Sequence, residues 1–404
     1  MKFRILITAI VSILFTLPLS GCWGKVQLEQ QGFVVAIGLD KNEDNLIDVT
    51  FQMANPQVGT SDIADAPNEP SSDIVTFTAP DIISAKELAN VVVARKISFD
   101  HLLVIIVGEE LAKTELFHHV IASSLVSPEM RLANNIIITK EKASTFIREN
   151  KPKLETRPHK YYSFIIKEWK DAGYVPISDL NSYFQQQEGQ LFLSAYATTE
   201  KQEELRKNEA DYLAGQVPEH GGDPVQMIGS AVFNKGKMIG TLTGAETRTA
   251  LLLRRKTVAN YYAQSFPDPI QDEYRIAVQI MKQGTNKVKM NVKSDIPKVK
   301  VMIPVKLQIF SNPSLENYST NLSNQNKLKK SIKESLENDA RKLIKKTQKE
   351  FESEPFEWYL EARRHFWTLD EYKNYNWEEK YKDAEVEVTF DIKIENLGAQ
   401  DKPE

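Results

Sequence analysis

The residue with the most distinctive chemistry is Cys22, the single cysteine among 404 residues. It ends the segment 19–22, Leu-Ser-Gly-Cys, which matches a lipobox, the motif whose cysteine thiol is diacylated before the chain is cut just ahead of it. Lys2 and Arg4 precede an apolar run over 5–17, and this pattern is typical of an export signal. The run falls short of the roughly 20 residues that a membrane-spanning helix needs. The sequence therefore predicts lipid attachment at Cys22.

The alternative for Cys22 is an unmodified thiol that follows an ordinary signal peptide. A single cysteine excludes a disulfide within the chain and a cysteine-based metal site. One acyl chain holds a protein only reversibly, whereas the two chains of a diacylglyceryl group anchor it stably. We therefore expect residues 1–21 to be removed as a lipoprotein signal peptide, and the mature chain to be held on the outer face of a bacterial membrane.

The composition beyond Cys22 is that of an ordinary globular protein. Charged residues make up 26% and apolar residues 41% of the chain, and no second run of about 18 uncharged apolar residues follows the signal. The formal net charge is −4, and loss of the signal removes basic residues alone. A net acidic chain disfavours nucleic acid as a partner. The length of the chain predicts two or three domains.

Residues 22–140 are predicted to form an N-terminal α+β domain. Two β-rich runs, 32–39 and 45–53, flank a turn-forming segment and predict a hairpin. A helix is expected over 84–95, with Ser84 as its N-cap. The remaining elements are a buried strand at 101–107, a helix with Leu111, Leu116, Val120 and Leu125 on one side, and a strand at 135–139. Mixed helices and strands without a regular βαβ period indicate an α+β fold.

Residues 141–256 are predicted to form a middle domain, and residues 257–404 a C-terminal α+β domain. The middle domain contains a hairpin over 228–242, with Gly236 in its turn, and a short helix over 246–253. The C-terminal domain is predicted to be an antiparallel meander covered by one long amphipathic helix. Its elements are strands at 274–282, 287–294 and 298–310, the helix at 324–351, aromatic residues Trp358, Phe366, Trp367 and Trp377 packed under that helix, and a strand at 384–394.

Signatures of catalysis and of metal or cofactor binding are scarce. His118-His119 lacks the HExxH frame of zinc sites and is expected to be one exposed and one partly buried histidine. Glu109 and Glu110 could supply paired carboxylates, but adjacent acids at a helix start also favour the helix dipole. The acidic segment 40–44 resembles the start of a calcium loop, yet Asn45 stands where that loop needs glycine. The sequence predicts no catalytic residue, no cofactor and no metal ion.

Several motifs together resemble the C-subunit lipoproteins of bacterial spore germinant receptors. Segment 229–247 is the most specific of them, because its glycines, Phe233 and Glu246-Thr247 occur together. Gly24 departs from the family pattern, which commonly has an acid at this position, and this departure leaves the anchor intact. The other motifs are Cys22-Trp23, Gly38-Leu39-Asp40 in the first hairpin, the segments 98–101, 107–112 and 127–131, and Trp377 followed by the strand at 384–394.

The resemblance covers essentially the whole mature chain and implies a three-domain lipoprotein of mixed α and β structure without catalytic residues. It also implies a location on the outer face of the spore inner membrane. The implied partners are two integral membrane receptor subunits, one of them transporter-like, in a complex that responds to nutrients and starts germination. A lipid-held, multi-domain, anionic body without an active site is compatible with such a role.

Two other functions stay open on the residues alone. A solute-binding lipoprotein of a transporter usually has two α/β lobes with parallel sheets around a cleft, whereas this sequence predicts hairpins and an antiparallel meander. A lipid-anchored hydrolase needs a nucleophile, a base and an oxyanion donor in one place, and the motifs do not assemble such a set.

Overall fold

A computed structural model describes residues 3–4, 30–55, 71–185, 190–206, 208–255 and 261–395. Cys22 and, apart from residues 3–4, the predicted signal peptide lie outside these described residues, as does most of the polar loop before residue 71. Within the described part, nine strands form one sheet, five strands form a second, and helices pack on both. This architecture confirms the predicted α+β fold class.

The first sheet has a parallel centre and antiparallel margins. Its strands are β1 (Gln31–Lys41), β2 (Ile47–Ala54), β3 (Ser72–Ala79), β4 (Lys96–Ser98), β5 (Val104–Gly108), β6 (Asn135–Thr139), β7 (Phe192–Thr198), β8 (Gln226–Asn234) and β9 (Lys237–Leu242). They lie in the order β3-β2-β1-β5-β6-β7-β8-β9, and β4 pairs with the beginning of β1. The pairs among β1, β5, β6 and β7 are parallel, whereas the outer pairs are antiparallel.

Helices cover both faces of the first sheet. They are α1 (Ile82–Val92), α2 (Glu109–Ala112), α3 (Glu115–Ser124), α4 (Ala143–Glu149), α5 (Pro158–Ala172) and α6 (Leu180–Gln185). On one face, Ile82 of α1 and Phe117 of α3 share a core with Phe51 of β2. On the other face, Phe146 of α4 and Trp169 of α5 form a separate core. Because the central strands are covered on both sides, they are apolar throughout rather than alternating.

Local predictions in this region need correction. The single helix predicted to carry Leu111 and Leu125 is divided into α2 and α3. The predicted first hairpin is confirmed by the antiparallel pairing of β1 and β2, but β3 was not predicted. The helix α1 begins at Ile82, earlier than predicted, and Asp81 rather than Ser84 is its N-cap. The Asp81 carboxylate accepts a hydrogen bond from the backbone N–H of Ser84 at 2.8 Å. Aspartate is one of the preferred N-cap residues, and its negative charge is also favoured by the dipole at a helix start.

The second sheet is built around one long strand. Its strands are β10 (Tyr261–Pro267), β11 (Arg275–Lys282), β12 (Lys287–Asn291), β13 (Lys298–Ser311) and β14 (Glu385–Ile394). β11 and β12 both pair antiparallel with β13, near its carboxyl and amino ends respectively, so the arrangement differs from a simple meander of three adjacent strands. This arrangement is possible because β13 is long enough to pair with β11 and β12 along different parts of its length. β14 pairs parallel to β13.

The predicted long helix covers this second sheet. It is α8 (Leu322–Lys346), and one π-helical turn continues it over Thr347–Phe351. The predicted apolar stripe is buried in the core of the second sheet and includes Leu328, Ile332, Leu336, Ala340, Leu343 and Ile344. Trp358 and Trp377 share this core as expected, but Trp367 is exposed. Three short helices surround these aromatics, namely α9 (Tyr359–Arg363), α10 (Leu369–Tyr375) and α11 (Trp377–Tyr381).

The first sheet joins strands from the first two predicted domains. β1 to β6 come from residues 22–140, whereas β7 to β9 come from residues 141–256. One sheet thus spans the predicted boundary at residue 140. The domain boundaries at 140 and 256 stay predictions. Among the described residues, no helix combines the length and the apolar character that crossing a membrane requires.

Candidate functional site

The strongest candidate from the sequence, Cys22, lies outside the described residues, but the structure shows where the chain that carries it enters the fold. The described chain resumes at residue 30, and β1 begins at Gln31. The beginning of β1 pairs with β4, so that Gln31 lies opposite Lys96. The segment that contains Cys22 therefore enters the fold beside β4, at the end of the sheet where the parallel strands begin.

Segment 229–247, the most specific part of the resemblance, lies where the two sheets meet. The predicted hairpin over 228–242 is confirmed by the pairing of β8 with β9. A helix, α7 (Gly244–Leu253), follows at once and begins with a capping box between Thr243 and Glu246. The hydroxyl groups of Ser230 on β8 and Thr247 on α7 are hydrogen-bonded at 2.8 Å. We call residues 192–198 and 226–253 the joint.

The strands of the joint contribute side chains to a core of the first sheet and to the core of the second sheet. Ala231 and Phe233 belong to the core of the first sheet, whereas Val232 and Leu242 belong to the core of the second. Successive side chains of a strand point to opposite faces, so a strand covered on both faces connects two cores. The joint therefore holds the two sheets together through apolar burial.

The helix α8 is fixed to the joint by a charged contact and a close contact. Lys346 donates to both carboxylate oxygens of Glu246 at 2.9 Å. At Gly240, an added Cβ would lie 2.7 Å from the ring of Phe351, so the π-helical turn at the end of α8 packs directly on the backbone of β9. Glu246 therefore does more than begin α7, because it also binds Lys346. Gly240 likewise does more than form part of the hairpin, because Phe351 packs against its backbone.

Arg248 is the main buried charge of the joint, and its role was not predicted from the sequence. Its guanidinium donates to the carbonyl oxygens of Ala172, at the end of α5, and of Ala263, on β10, each at 2.8 Å. The guanidinium also lies 3.7 Å from the ring centroid of Tyr174. Burial lowers the pKa of Arg248, but arginine starts high enough to stay charged. The cation at the carboxyl end of α5 is favoured by the helix dipole.

The carboxyl end of α7 is held by donors from the second sheet and its loops. Lys282 donates to the carbonyl of Arg254 at 2.6 Å, and Asn286 donates to that of Leu252 at 2.8 Å. The indole of Trp358 donates to the carbonyl of Leu253 at 3.3 Å. Burial lowers the pKa of Lys282 to about 7. These donors satisfy the free carbonyl groups with which every helix ends.

A buried carboxyl group, Glu354, lies where the chain leaves α8 and passes the beginning of β7. Its side-chain oxygens accept hydrogen bonds from the backbone N–H groups of Phe356 at 2.5 Å and Tyr359 at 2.8 Å. The backbone carbonyl of Glu354 accepts a hydrogen bond from the N–H of Leu191 at 3.2 Å. Burial raises the pKa of Glu354 to about 7, although the two backbone donors oppose this shift. Nothing in the sequence distinguishes this acid from its exposed neighbours.

A cavity of about 140 Å³ lies where the parallel strands end. Its lining includes Glu109 and Glu110, which were considered for catalysis, and Asp40 from the segment that resembles a calcium loop. Glu109 accepts from the hydroxyl of Tyr196 at 2.5 Å and pairs with Lys113. Asp40 is buried and accepts from the backbone N–H groups that begin α4, those of Ala143 at 2.6 Å and Ser144 at 2.9 Å. Asp40 therefore caps α4 and Glu109 joins α2 to β7, so these contacts give both acids a structural role.

The histidine pair is arranged as the sequence predicts. His119 is exposed, whereas His118 is partly buried, and its Nδ1 lies 3.2 Å from the hydroxyl of Tyr183. Burial lowers the pKa of His118, and the neighbouring His119 adds to this effect. In the part of the chain that the structure describes, no group of three or more His, Cys, Asp and Glu residues could hold a metal ion.

A larger cavity of about 290 Å³ lies between β2–β3 and the ends of α4 and α5. Polar side chains of its wall bond to one another. Asn150 donates to Tyr162 at 3.3 Å, Tyr162 donates to Gln52 at 3.4 Å, and Gln52 donates to Ser72 at 3.3 Å. This chain of hydrogen bonds connects the helix layer to the edge of the sheet.

Comparison with known families gives two matches that together span most of the chain. The family model described as "Spore germination protein N-terminal domain" matches residues 24–196, and the model described as "Spore germination B3/ GerAC like, C-terminal" matches residues 228–398. The joint contains the end of the first match and the beginning of the second.

Individual relatives agree with these matches. Spore germination protein B3 of Bacillus subtilis (strain 168) is 22% identical over 97% of this chain and 98% of its own length. Spore germination protein KC of the same organism is 26% identical over 35% of each chain. The crystal structure of the GerBC protein shares the fold, with a TM-score of 0.52 at 17% identity over 89% of this chain and 96% of that chain.

Replacing Arg248 should weaken the joint. In the variant Arg248→Met the carbonyls of Ala172 and Ala263 lose their donor, and a buried unpaired polar group costs about 1–3 kcal/mol. We expect the free energy of unfolding to fall by about 2–4 kcal/mol, measured by urea denaturation. The control is Arg255→Met, which alters a half-exposed arginine. Equal losses in both variants would contradict the role assigned to Arg248.

Glu354 should make the stability depend on pH. Its pKa is raised from 4.5 to about 7 in the folded chain, so its protonated form stabilises the fold fully below pH 4.5, and this contribution is lost as the pH rises to 7. Relative to Glu354→Gln, the wild-type free energy of unfolding should fall by on the order of 3 kcal/mol over that range. The exposed residue Glu350, changed to Gln, is the control. A difference that does not vary with pH would refute this assignment.

Proposed function

Because the chain belongs to the Ger(x)C family of spore germination proteins, we propose that it is a non-catalytic, lipid-anchored subunit of a spore germinant receptor. Family membership rests on the two family models, which match residues 24–196 and 228–398. The proposal adds three points to it. These are an anchor at Cys22, a position on the outer face of the spore inner membrane, and contacts with two integral membrane subunits, one of them transporter-like.

The observation that carries the anchor is the lipobox at residues 19–22, which follows a short apolar run and a basic start. The cysteine of this motif is the position at which lipid would attach the chain to a membrane. Two acyl chains are sufficient for a stable anchor.

The advantage of anchoring for a subunit without catalysis is effective concentration. A protein confined to a thin layer above the membrane meets its membrane partners far more often than the same protein in bulk solution, so weak contacts become occupied. The joint supports this role, because a body whose two cores are connected moves and docks as one unit. The buried charges described above serve that connection rather than a reaction.

Loss of the Cys22 thiol should release the protein from the membrane. In a Cys22→Ala strain, we expect the chain to move from the membrane fraction to the soluble fraction of disrupted spores, and nutrient-triggered germination to fall strongly. The circular dichroism spectrum of the released chain should match that of the wild type, because Cys22 precedes both cores. A Cys22→Ala protein that stays on the membrane and supports normal germination would contradict the anchoring mechanism.

Partner contacts can be tested by cross-linking in spore membranes followed by affinity purification of this chain. We expect two polytopic membrane proteins, one of them transporter-like, to be recovered with the wild type. Recovery should drop several-fold with Cys22→Ala, because the effective concentration is lost. Recovery of soluble proteins alone from wild-type membranes would argue against a receptor subunit.

A further inference from the structure

We propose that the end of the first sheet where its parallel strands begin is a membrane-contacting surface that rests on anionic lipid. We call this surface the amino edge and define it as the beginning of β1 together with residues 91–101, 126–134 and 150–160. The inference rests on the proposed anchor at Cys22 and goes beyond it, because it states which way the body faces on the bilayer.

The first reason is where the lipid-bearing segment enters. Cys22 and Gln31 are nine positions apart, so at about 3.3–3.6 Å per residue Gln31 lies within roughly 30 Å of the lipid. Gln31 is paired with Lys96 of β4. Two residues on, the ring of Phe33 lies 4.7 Å from that of His101, which in turn lies 6.0 Å from that of His159. These three contacts place residues 96, 101 and 159 around the point where the segment from Cys22 enters the first sheet.

The second reason is the set of apolar side chains that the amino edge exposes. Val91 and Val92, at the end of α1, are 85% and 72% exposed, and Val126, after α3, is 87% exposed. Leu154, between α4 and α5, is 98% exposed. Single exposed apolar residues are common on proteins and need no explanation. Here they come from three separate connections that share one edge, which is the pattern expected of an interaction surface.

The third reason is charge. Within 91–101, 126–134 and 150–160 there are seven lysines and arginines against three acidic residues, whereas the whole chain carries a formal net charge of −4. Two of those three acids are already paired, Glu129 with Lys86 at 2.7 Å and Glu155 with Arg157 at 2.8 Å. A cationic surface beside apolar side chains suits the headgroup region of a bilayer that contains anionic lipid.

The geometry of the helices explains how this edge arises. α1, α3 and α4 each follow a strand that ends at the opposite edge and run back along the sheet, so their last residues reach the amino edge. The exposed valines at the end of α1 are thus brought to the end of the molecule where the chain from Cys22 arrives. The lipid supplies the affinity, and the amino edge sets the orientation.

The experiment uses the full mature chain with its lipid, reconstituted in vesicles of phosphatidylcholine and phosphatidylglycerol. Because the Cys22 sulfur is blocked by lipid, one added cysteine is the single reactive thiol for an environment-sensitive fluorophore. The labelled positions are Val92→Cys and Leu154→Cys at the amino edge. The matched control is Leu205→Cys, which is 92% exposed and follows the carboxyl end of β7. All three positions are exposed, so labelling leaves both cores intact.

At positions 92 and 154 we expect a blue-shifted emission and a several-fold lower quenching by aqueous iodide than at position 205. In vesicles of phosphatidylcholine alone the protection should decrease, since the cationic edge then lacks its counter-charge. Protein that floats with the vesicles while all three labels are equally quenched would overturn the orientation and leave the anchor standing. Protein that does not float would overturn the anchor and the inference with it. Protection that requires added polytopic subunits would assign the edge to a protein partner and refute a lipid surface.

Discussion

The burial of β7 and β8 on both faces is the constraint on which the rest of the structure depends. Phe233 faces the core of the first sheet while its neighbour Val232 faces the core of the second. Neither core can be completed without these strands, so the two sheets are parts of one body. A polar residue at either position would place a polar side chain inside one of the two cores. An extra residue inserted in β8 would turn the side chains beyond it to the opposite face of the sheet.

The charged groups that the structure buries reinforce this connection. Arg248 bonds to the end of α5 and to β10, Lys282 bonds to the end of α7, and Glu354 holds the chain that leaves α8. Each is bonded to backbone groups, which offsets the cost of removing a charge from water. A single body of this kind can transmit a displacement between a membrane surface and a partner, and this ability suits a receptor subunit held by lipid.

Features that depend on neighbouring residues could be predicted from the sequence. The hairpin of β8 and β9 follows from strand-forming runs around Gly236, and the buried stripe of α8 follows from three- and four-residue spacing. The lipobox at Cys22 is likewise a local pattern. The strand β3 escaped prediction because its exposed and partly buried residues lie at the margin of the sheet and give a weak apolar signal. The role of Arg248 was hidden because its partners, Ala172 and Ala263, are remote in sequence and appear beside it only in the fold.

The central claim is that a lipid on one sulfur holds this connected body against a bilayer. Mass spectrometry of the N-terminal peptide from protein purified out of spore membranes tests it most directly. We predict a mature chain that begins at Cys22 and carries the added mass of a diacylglyceryl group. A chain that begins elsewhere, or that begins at Cys22 with a free thiol, would contradict the account.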